Sequence, residues 1–408
     1  MNPLQYRRSY NVTVKYFAVA ALALTLRLGA WNRPETAEQQ DAAPQMAAPA
    51  AQQGPPIAHF LFVIPPPYPK YPEREVFTSS FSQAAQGAFA AANWEYREIR
   101  LYEKPTTEWQ SIMRQELDSY PTVVFSYHDT YTYLFVKLSE TFEVRSANYV
   151  LALASLPPEA SSFFFRIDLL LEEPGYIAGA ALAHLSRTGR ITVLGFEEDW
   201  CDRFVAGFTQ GVREVRAGSS VTDLRVKRME LVDADEGLEL IWGMLDKVKQ
   251  RSMSGLGVDA VAVLASGLGE PFIGSLADAS IYATAGITPP PDEAYRSVVF
   301  GTVVDFSRLP LYFVENADAI GLFKIEKPVK LKEEVRNSPY MPTPGHGSPV
   351  GGVKVITIGL SDEVIKLVGL TGYESFSRLP DEVKTEIAYY ERAIKAGEIP
   401  ISAKPLTD

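Results

Sequence analysis

The sequence predicts an α/β protein made of two doubly wound, mostly parallel-sheet lobes, and three observations carry that prediction. Short apolar runs alternate with helical segments from Ala58 onward. The alternation comes in two successive rounds of about a hundred residues each, the size of an ordinary domain. The composition, 46% hydrophobic and 22% charged over 408 residues, is that of a folded chain. It excludes disorder, collagen and coiled coil as the main state.

The first round begins with a compact apolar strand at 58–64 (AHFLFVI), followed by an Ala- and Gln-rich helix at 80–93. A strand is expected at 97–102, a helix at 108–118, a strand at 122–127 (TVVFSY), a helix at 133–142 and a strand at 149–154. Apolar runs of this length between helices mark parallel strands covered on both faces. The second round runs strand 162–169, helix 174–186, strand 191–196 (ITVLGF), helix 199–216, strand 224–231 and helix 236–251. A strand at 259–265 (DAVAVLA) then ends in Ser266-Gly267-Leu268-Gly269. Strands at 281–285 and 297–304, a helix at 309–323, a strand at 353–360 and a closing helix at 382–396 with Gly397 at its end complete the chain. The Pro- and Gly-rich stretch 337–352, which contains His346, reads as a surface loop. Right-handed crossovers place the ligand crevice of such lobes at the carboxyl ends of the strands. The expected division is 58–167 with 294–330 in one lobe and 168–293 with 331–408 in the other.

The N-terminus reads as an export signal. Arg7, Arg8 and Lys15 flank the apolar run 16–26, which is too short to span a bilayer comfortably, and Gly29-Ala30 follow. Residues 1–31 are therefore expected to be a signal peptide or anchor. Residues 32–57, rich in Ala, Gln and Pro, are expected to be a tether. Leu28-Gly29-Ala30-Trp31 resembles a lipoprotein box with Trp31 in place of its cysteine, so no thioether lipid can form there. The expected location is the periplasm or the outer face of the cytoplasmic membrane.

Composition also excludes functions. With 39 basic and 50 acidic residues the formal charge is -11, and no nucleic-acid partner is expected. The single cysteine, Cys201, rules out an internal disulfide and a cysteine-based zinc site, and it reads as a small buried apolar residue. The four histidines are scattered, and no GxSxG, P-loop or HExxH is present. Neither a cofactor, a metal nor a catalytic set is expected, and the chain is read as a monomer rather than an enzyme.

Several segments resemble the basic-membrane-protein family of bacterial substrate-binding proteins, some of which bind purine nucleosides for an ABC importer. Glu172-Glu173-Pro174-Gly175-Tyr176-Ile177-Ala178-Gly179 with Ser186-Arg187-Thr188-Gly189-Arg190-Ile191 resembles the family's EEGSYLAG and SKTGKIGFVGG. Arg203-Phe204 through Gly207-Phe208 and Gly211 resembles its RF-x-x-GF-x-x-G helix, Ser80-Phe81-Ser82-Gln83 its SFN element, and 394–399 its I-x-x-GEI turn. The resemblance covers 58 to about 401 in shared order and implies a type I periplasmic-binding-protein fold.

It also implies a site. Phe81 and Phe204 match the two rings that clamp the purine, Phe81 being equally readable as a core residue, and Trp200 is an added candidate that also reads as a rim residue covering the helix start. A stacked base is worth about 1–3 kcal/mol. Gly267 and Gly269 match a glycine turn that admits a ligand oxygen, and they equally suit an ordinary βα turn. The family's acid before SFN is Thr78 or Ser79 here, its ribose-binding Asp has no counterpart in 282–285, and its lysine aligns with Asp305. Asp305 either accepts ligand hydroxyls or caps the next helix. Tyr127, His128 and Asp129 end the TVVFSY strand at the crevice, where Asp129 suits a helix cap as well as a ligand contact. The implied partners are a small planar ligand, a purine nucleoside or a polyhydroxylated heterocycle such as riboflavin, and an ABC permease. A ligand-sensing ectodomain is the alternative role.

Overall fold

The computed structural model describes residues 58–67, 73–117, 122–127, 129–141, 147–152, 164–197, 199–227, 234–253, 257–264, 275–276, 281–285, 298–323, 353–370 and 373–403. The expected export signal, the tether, His128, the Gly267/Gly269 turn and the 337–352 loop lie outside the described residues.

The strands are β1 (Ala58–Val63), β2 (Trp94–Ile99), β3 (Thr122–Tyr127), β4 (Ala147–Ala152), β5 (Phe164–Leu169), β6 (Arg190–Glu197), β7 (Ser220–Lys227), β8 (Ala260–Leu264), β9 (Tyr282–Ala285), β10 (Val298–Val304), β11 (Lys354–Ile358) and β12 (Ile365–Val368). The helices are α1 (Glu73–Ala91), α2 (Thr106–Leu117), α3 (Thr132–Thr141), α4 (Glu172–Leu185), α5 (Asp199–Val215), α6 (Ala234–Met253), α7 (Leu309–Ile320), α8 (Glu374–Ser377) and α9 (Asp381–Lys395).

They form two six-stranded sheets, ordered β11-β5-β4-β3-β1-β2 and β12-β10-β9-β8-β6-β7. The first is parallel throughout. In the second only β12 runs antiparallel, against β10. Side-chain alternation explains the unbroken apolar runs. On β1, Phe60 and Phe62 join the core under α1 and α7, while Leu61 and Val63 face α2 and α3. The second sheet repeats the arrangement: Val193 joins the core beside α4 and α5, and Leu194 and Phe196 join Ile241 and Leu245 of α6.

Among the described residues the chain passes between the sheets three times. Leu169 of β5 leads into α4, which packs on β8 and β9. Val304 of β10 leads into α7, which packs on α1. Ile358 of β11 leads through the 3-10 turn Leu360–Asp362 to β12. Each passage leaves the carboxyl end of a parallel strand, so the carboxyl ends of both sheets face the crossing region. The crossings are also tied to one another, with Leu170 N–H donating to the Ile358 carbonyl at 2.8 Å and Asp305 N–H to the Val364 carbonyl at 2.7 Å.

The structure corrects several expectations. β10 is paired with β9, so 298–304 belongs to the second lobe and not the first. β11 is paired with β5, so 354–358 belongs to the first lobe and not the second. β2 starts at Trp94 rather than 97, because Asn93 takes a left-handed φ of 57° directly after α1 and turns the chain. β7 starts at Ser220 rather than 224. α1 starts at Glu73, so Ser80-Phe81-Ser82-Gln83 lies two turns inside the helix instead of opening it.

Two contacts fix the second lobe. Glycines 175 and 179 on α4 meet glycines 207 and 211 on α5. A Cβ would stand 2.2 Å from the Phe204 carbonyl oxygen at Gly175, 2.0 Å from that of Phe208 at Gly179, 2.0 Å from that of Glu172 at Gly207 and 2.0 Å from that of Tyr176 at Gly211. Elsewhere, buried Asp259 just before β8 pins the 186–190 turn. It accepts from Ser186 Oγ at 2.6 Å, Arg187 N at 2.7 Å, Thr188 Oγ1 at 3.0 Å and Thr188 N at 3.1 Å. Burial pushes the Asp259 carboxyl up, but these bonds outweigh it and hold the group below the usual carboxylate range.

Gly207→Ala is expected to lower unfolding free energy by about 1–3 kcal/mol or more through overpacking. Gly87→Ala, where nothing stands within 4 Å, is expected to raise it by about 0.5–1 kcal/mol. Urea denaturation midpoints of the two variants check both signs. Asp259→Asn is expected to cost about 1–3 kcal/mol at pH 7. Because the folded carboxyl titrates below its unfolded value, its contribution is present above the unfolded pKa and fades as pH falls through the folded one. The variant should therefore lose less stability on acidification than the parent, measured by denaturation between pH 7 and 3.

Candidate functional site

Where the carboxyl ends of the sheets meet, aromatic and polar groups from four segments converge. Tyr127 ends β3, and its hydroxyl hydrogen-bonds the Thr78 hydroxyl on α1. Phe306, just past β10 on the second crossing, stacks on Phe77 of α1 with ring centroids 4.3 Å apart and planes 17° apart. It also meets the Tyr127 ring edge-on at 5.9 Å. Next to it, Asp305 Oδ2 accepts from Lys366 Nζ of β12 at 2.8 Å, and Oδ1 accepts from Ser307 N at 3.0 Å and from the Ser307 hydroxyl. Burial raises the Asp305 carboxyl, but the Lys366 and Ser307 bonds and the lysine charge outweigh it and hold it low. Its carboxylate is therefore ionised at neutral pH and only 27% exposed, paired with a lysine 42% exposed.

A second polar group sits at the first crossing. Glu172, the first residue of α4, is buried and takes two bonds from Arg203 of α5, Nε to Oε2 at 2.8 Å and Nη2 to Oε1 at 2.6 Å. Arg203 Nη1 also lies 3.8 Å from Asp168 of β5, which Arg166 contacts at 2.7 Å. The fork geometry of guanidinium on carboxylate makes such a pair directional and costly to halve.

The residues expected from sequence fall into three groups. Tyr127 and Asp305 lie in the convergent cluster, whose rings Tyr127 and Phe306 are 1% and 2% exposed and so as buried as Phe81 and Phe204, with Asp305 making both the cap-like bond to Ser307 and the pair with Lys366. Asp129 opens the 3-10 turn after β3 and Trp200 lies in the first turn of α5, both next to strand carboxyl ends. Their side chains and the two glycines 267 and 269 are outside the described residues. Phe81 and Phe204 are placed in the core. Phe81 is 0% exposed, stacked on Phe125 at 4.8 Å and tilted against Phe62 at 4.8 Å. Phe204 is 1% exposed and stacks along its own helix on Phe208 at 6.2 Å. The rings face neighbours within their own lobes, so the core alternative describes Phe81, while Phe204 departs from its expected place facing the cleft because it packs along α5. Sequence reasoning named Thr78 only as a place of the family's missing acid and passed over Phe77, Phe306, Lys366 and the Glu172–Arg203 pair. Phe77 and Thr78 lie within a turn before the SFSQ element, and a helix starting at Glu73 would have pointed to them.

Comparison with known proteins agrees with this architecture. No protein-family model matches the chain, and no curated protein matches it in sequence. Among solved structures, the chain is similar to a transcriptional activator of the comK gene from Bacillus halodurans, with TM-score 0.56 and 15% identity over 84% of this chain and 99% of that one. It is also similar to an ABC transporter system solute-binding protein from Conexibacter woesei, with TM-score 0.52 and 12% identity over 85% of this chain and 99% of that one. At such identity the likeness is one of fold. The chain has the type I periplasmic-binding-protein fold. Among the described residues, no helix is long and apolar enough to cross a membrane.

Arg203→Ala leaves the buried Glu172 carboxylate uncompensated and is expected to destabilise the protein by about 3–5 kcal/mol. Replacing both partners together, Glu172→Leu with Arg203→Met, should cost clearly less than the single change. Urea denaturation of the three proteins at pH 7 measures both.

Proposed function

We propose that the chain is an extracytoplasmic solute-binding protein that takes a small planar, hydroxylated molecule between its two lobes and delivers it to an ABC permease. The observation that carries this reading is the meeting of both sheets' carboxyl ends at the three crossings, with Tyr127, Thr78, Phe306, Asp305 and Lys366 gathered there. In doubly wound sheets that end of the strands is where ligands bind. Fold likeness to an ABC solute-binding protein supports the same role.

The chemistry of the cluster favours a polyol-bearing heterocycle. An ionised, half-buried Asp305 accepts hydroxyl donors, and Tyr127 and Thr78 offer hydroxyls that donate or accept. Phe306, buried between Phe77 and Tyr127, backs this cluster from the core. The motif resemblance points to a purine nucleoside, and the exchange of the family's lysine for Asp305 leaves riboflavin as the alternative ligand. Asp129 and Trp200, next to strand carboxyl ends, are rim candidates in this reading, and Gly267 and Gly269 are candidates on the motif resemblance alone. A ligand-sensing role is favoured by one observation, the fold likeness to a transcriptional activator. Genes beside this one distinguish the two roles: an ATPase and a permease for import, a kinase or regulator for sensing.

Titration calorimetry and thermal shift with purine nucleosides, riboflavin and free pentoses test the ligand class. One class is expected to bind at one site per chain and to stabilise the protein by about 2.7 kcal/mol at a hundredfold excess over Kd. Asp305→Asn and Tyr127→Phe should each weaken that binding about tenfold, the loss of one hydrogen bond to a polar ligand. No heat and no shift with any of them would count decisively against the proposed ligands.

A further inference from the structure

The three crossings hold a carboxylate that neither the binding cluster nor the Glu172–Arg203 pair accounts for. Glu173, the second residue of α4, reaches the third crossing. Its Oε2 accepts from the main-chain N–H of Leu360 at 2.7 Å. The bond joins residues 187 positions apart, at the start of the first crossing's helix and at the 3-10 turn that leads to β12. Glycine 359 makes room for it: a Cβ there would stand 2.6 Å from Oε2 and 3.0 Å from Oε1 of Glu173. Gly359 has φ -120° and ψ -166°, an extended conformation open to any residue, so the space for Glu173 rather than the backbone calls for glycine.

The surroundings make this carboxylate sensitive to protons. Glu172 faces it from its own helix, Asp362 from the third crossing and Arg203 from α5, while Asp362 in turn lies near Tyr312 of α7. Asp362 also accepts from Gly359 N at 2.7 Å, so two carboxylates share this short turn. The one cation among these groups is already engaged by Glu172 through both its oxygens. Burial first, then Glu172 and Asp362, push the Glu173 carboxyl above the usual range, and the Leu360 bond and Arg203 offset only part of that.

We propose that Glu173 is a proton-sensitive tie of the interlobe hinge: as carboxylate it fastens the first crossing to the main chain of the third, and on protonation it releases that grip. A main-chain N–H held by an ionised acceptor is bound about twice as strongly as by a neutral one. Acid therefore loosens the third crossing against the first and eases relative movement of the lobes. The consequence for ligand capture rests on the binding reading above, whereas the tie itself is measurable without ligand.

The experiment is hydrogen exchange at the Leu360 amide in the ligand-free full chain between pH 8 and pH 4.5, corrected for intrinsic exchange. In the parent, protection at Leu360 is expected to fall about three- to tenfold as Glu173 takes up its proton, the range separating a charge-assisted from a neutral bond. Glu173→Gln should show low protection with no step. Gly359→Ala keeps every titratable group but displaces the carboxylate, and it should abolish the same step. A step that persists in either variant overturns the proposal, as does a flat profile in the parent. Should the Glu173 variant fail to fold, Gly359→Ala decides alone. None of these readings involves a ligand, so an unsuccessful titration with nucleosides and flavins leaves this outcome independent.

Discussion

Backbone lies against backbone where α4 crosses α5, and the rest of the second lobe is placed by that contact. Residues four apart share one helix face, so glycines 175 and 179 present one smooth face and glycines 207 and 211 the other. At 2.0 to 2.2 Å from a carbonyl oxygen, any Cβ would stand far inside the repulsive wall. The approach is possible only for glycine at these four positions. Because α4 is the element the first crossing enters, its position also decides which polar groups meet. Glu172 comes opposite Arg203, and Glu173 comes opposite the main chain of Leu360. A steric condition on four glycines thus sets the electrostatics of the crossings.

The two ion pairs near the crossings differ in kind. Glu172 and Arg203 have side-chain exposures of 6% and 24% and a bidentate geometry. Such a pair contributes little net stability but is expensive to break, because the remaining charge stays buried. It acts as a fixed joint. Asp305 and Lys366 are more exposed and joined through one nitrogen, and a pair of this sort is worth about 0–1 kcal/mol. The crossings thus hold one rigid pair and one softer one.

Much of the fold was legible because parallel strands buried on both faces are unbroken apolar runs, and β3 was readable to its last residue. What escaped had physical causes. β12 is four residues long, antiparallel and only half-buried, with Lys366 in its middle, so no apolar run marks it. Sheet membership of β10 and β11 follows from which strand each pairs with, and that is a long-range property absent from local pattern. The start of α1 was hidden by a polar first turn of Glu73, Arg74 and Glu75 ahead of the apolar positions. That miss carried over to the site. With the helix taken to begin near Ser80, Phe81 looked like a ring at a helix start facing a crevice. In a helix beginning at Glu73 the same ring sits two turns in, among Phe60, Phe62, Phe89 and Phe125. An aromatic residue signals burial, but sequence alone does not say whether a core or a ligand does the burying.

The motifs that carried the family resemblance turn out to lie where packing is tightest. EEPGYIAG contributes two of the four interhelical glycines and RFVAGF with Gly211 the other two, while SRTGRI is the turn clamped by Asp259. In this chain these motifs are packing requirements, set by the close helix contact and the Asp259 clamp. In the proposed binding reading, ligand choice falls instead to the few polar side chains at the strand ends. There this chain departs from the motif pattern, carrying Asp305 with Lys366 across from Tyr127 and Thr78. Under that proposal the guest is argued from those four positions, and the glycine motifs have no bearing on it.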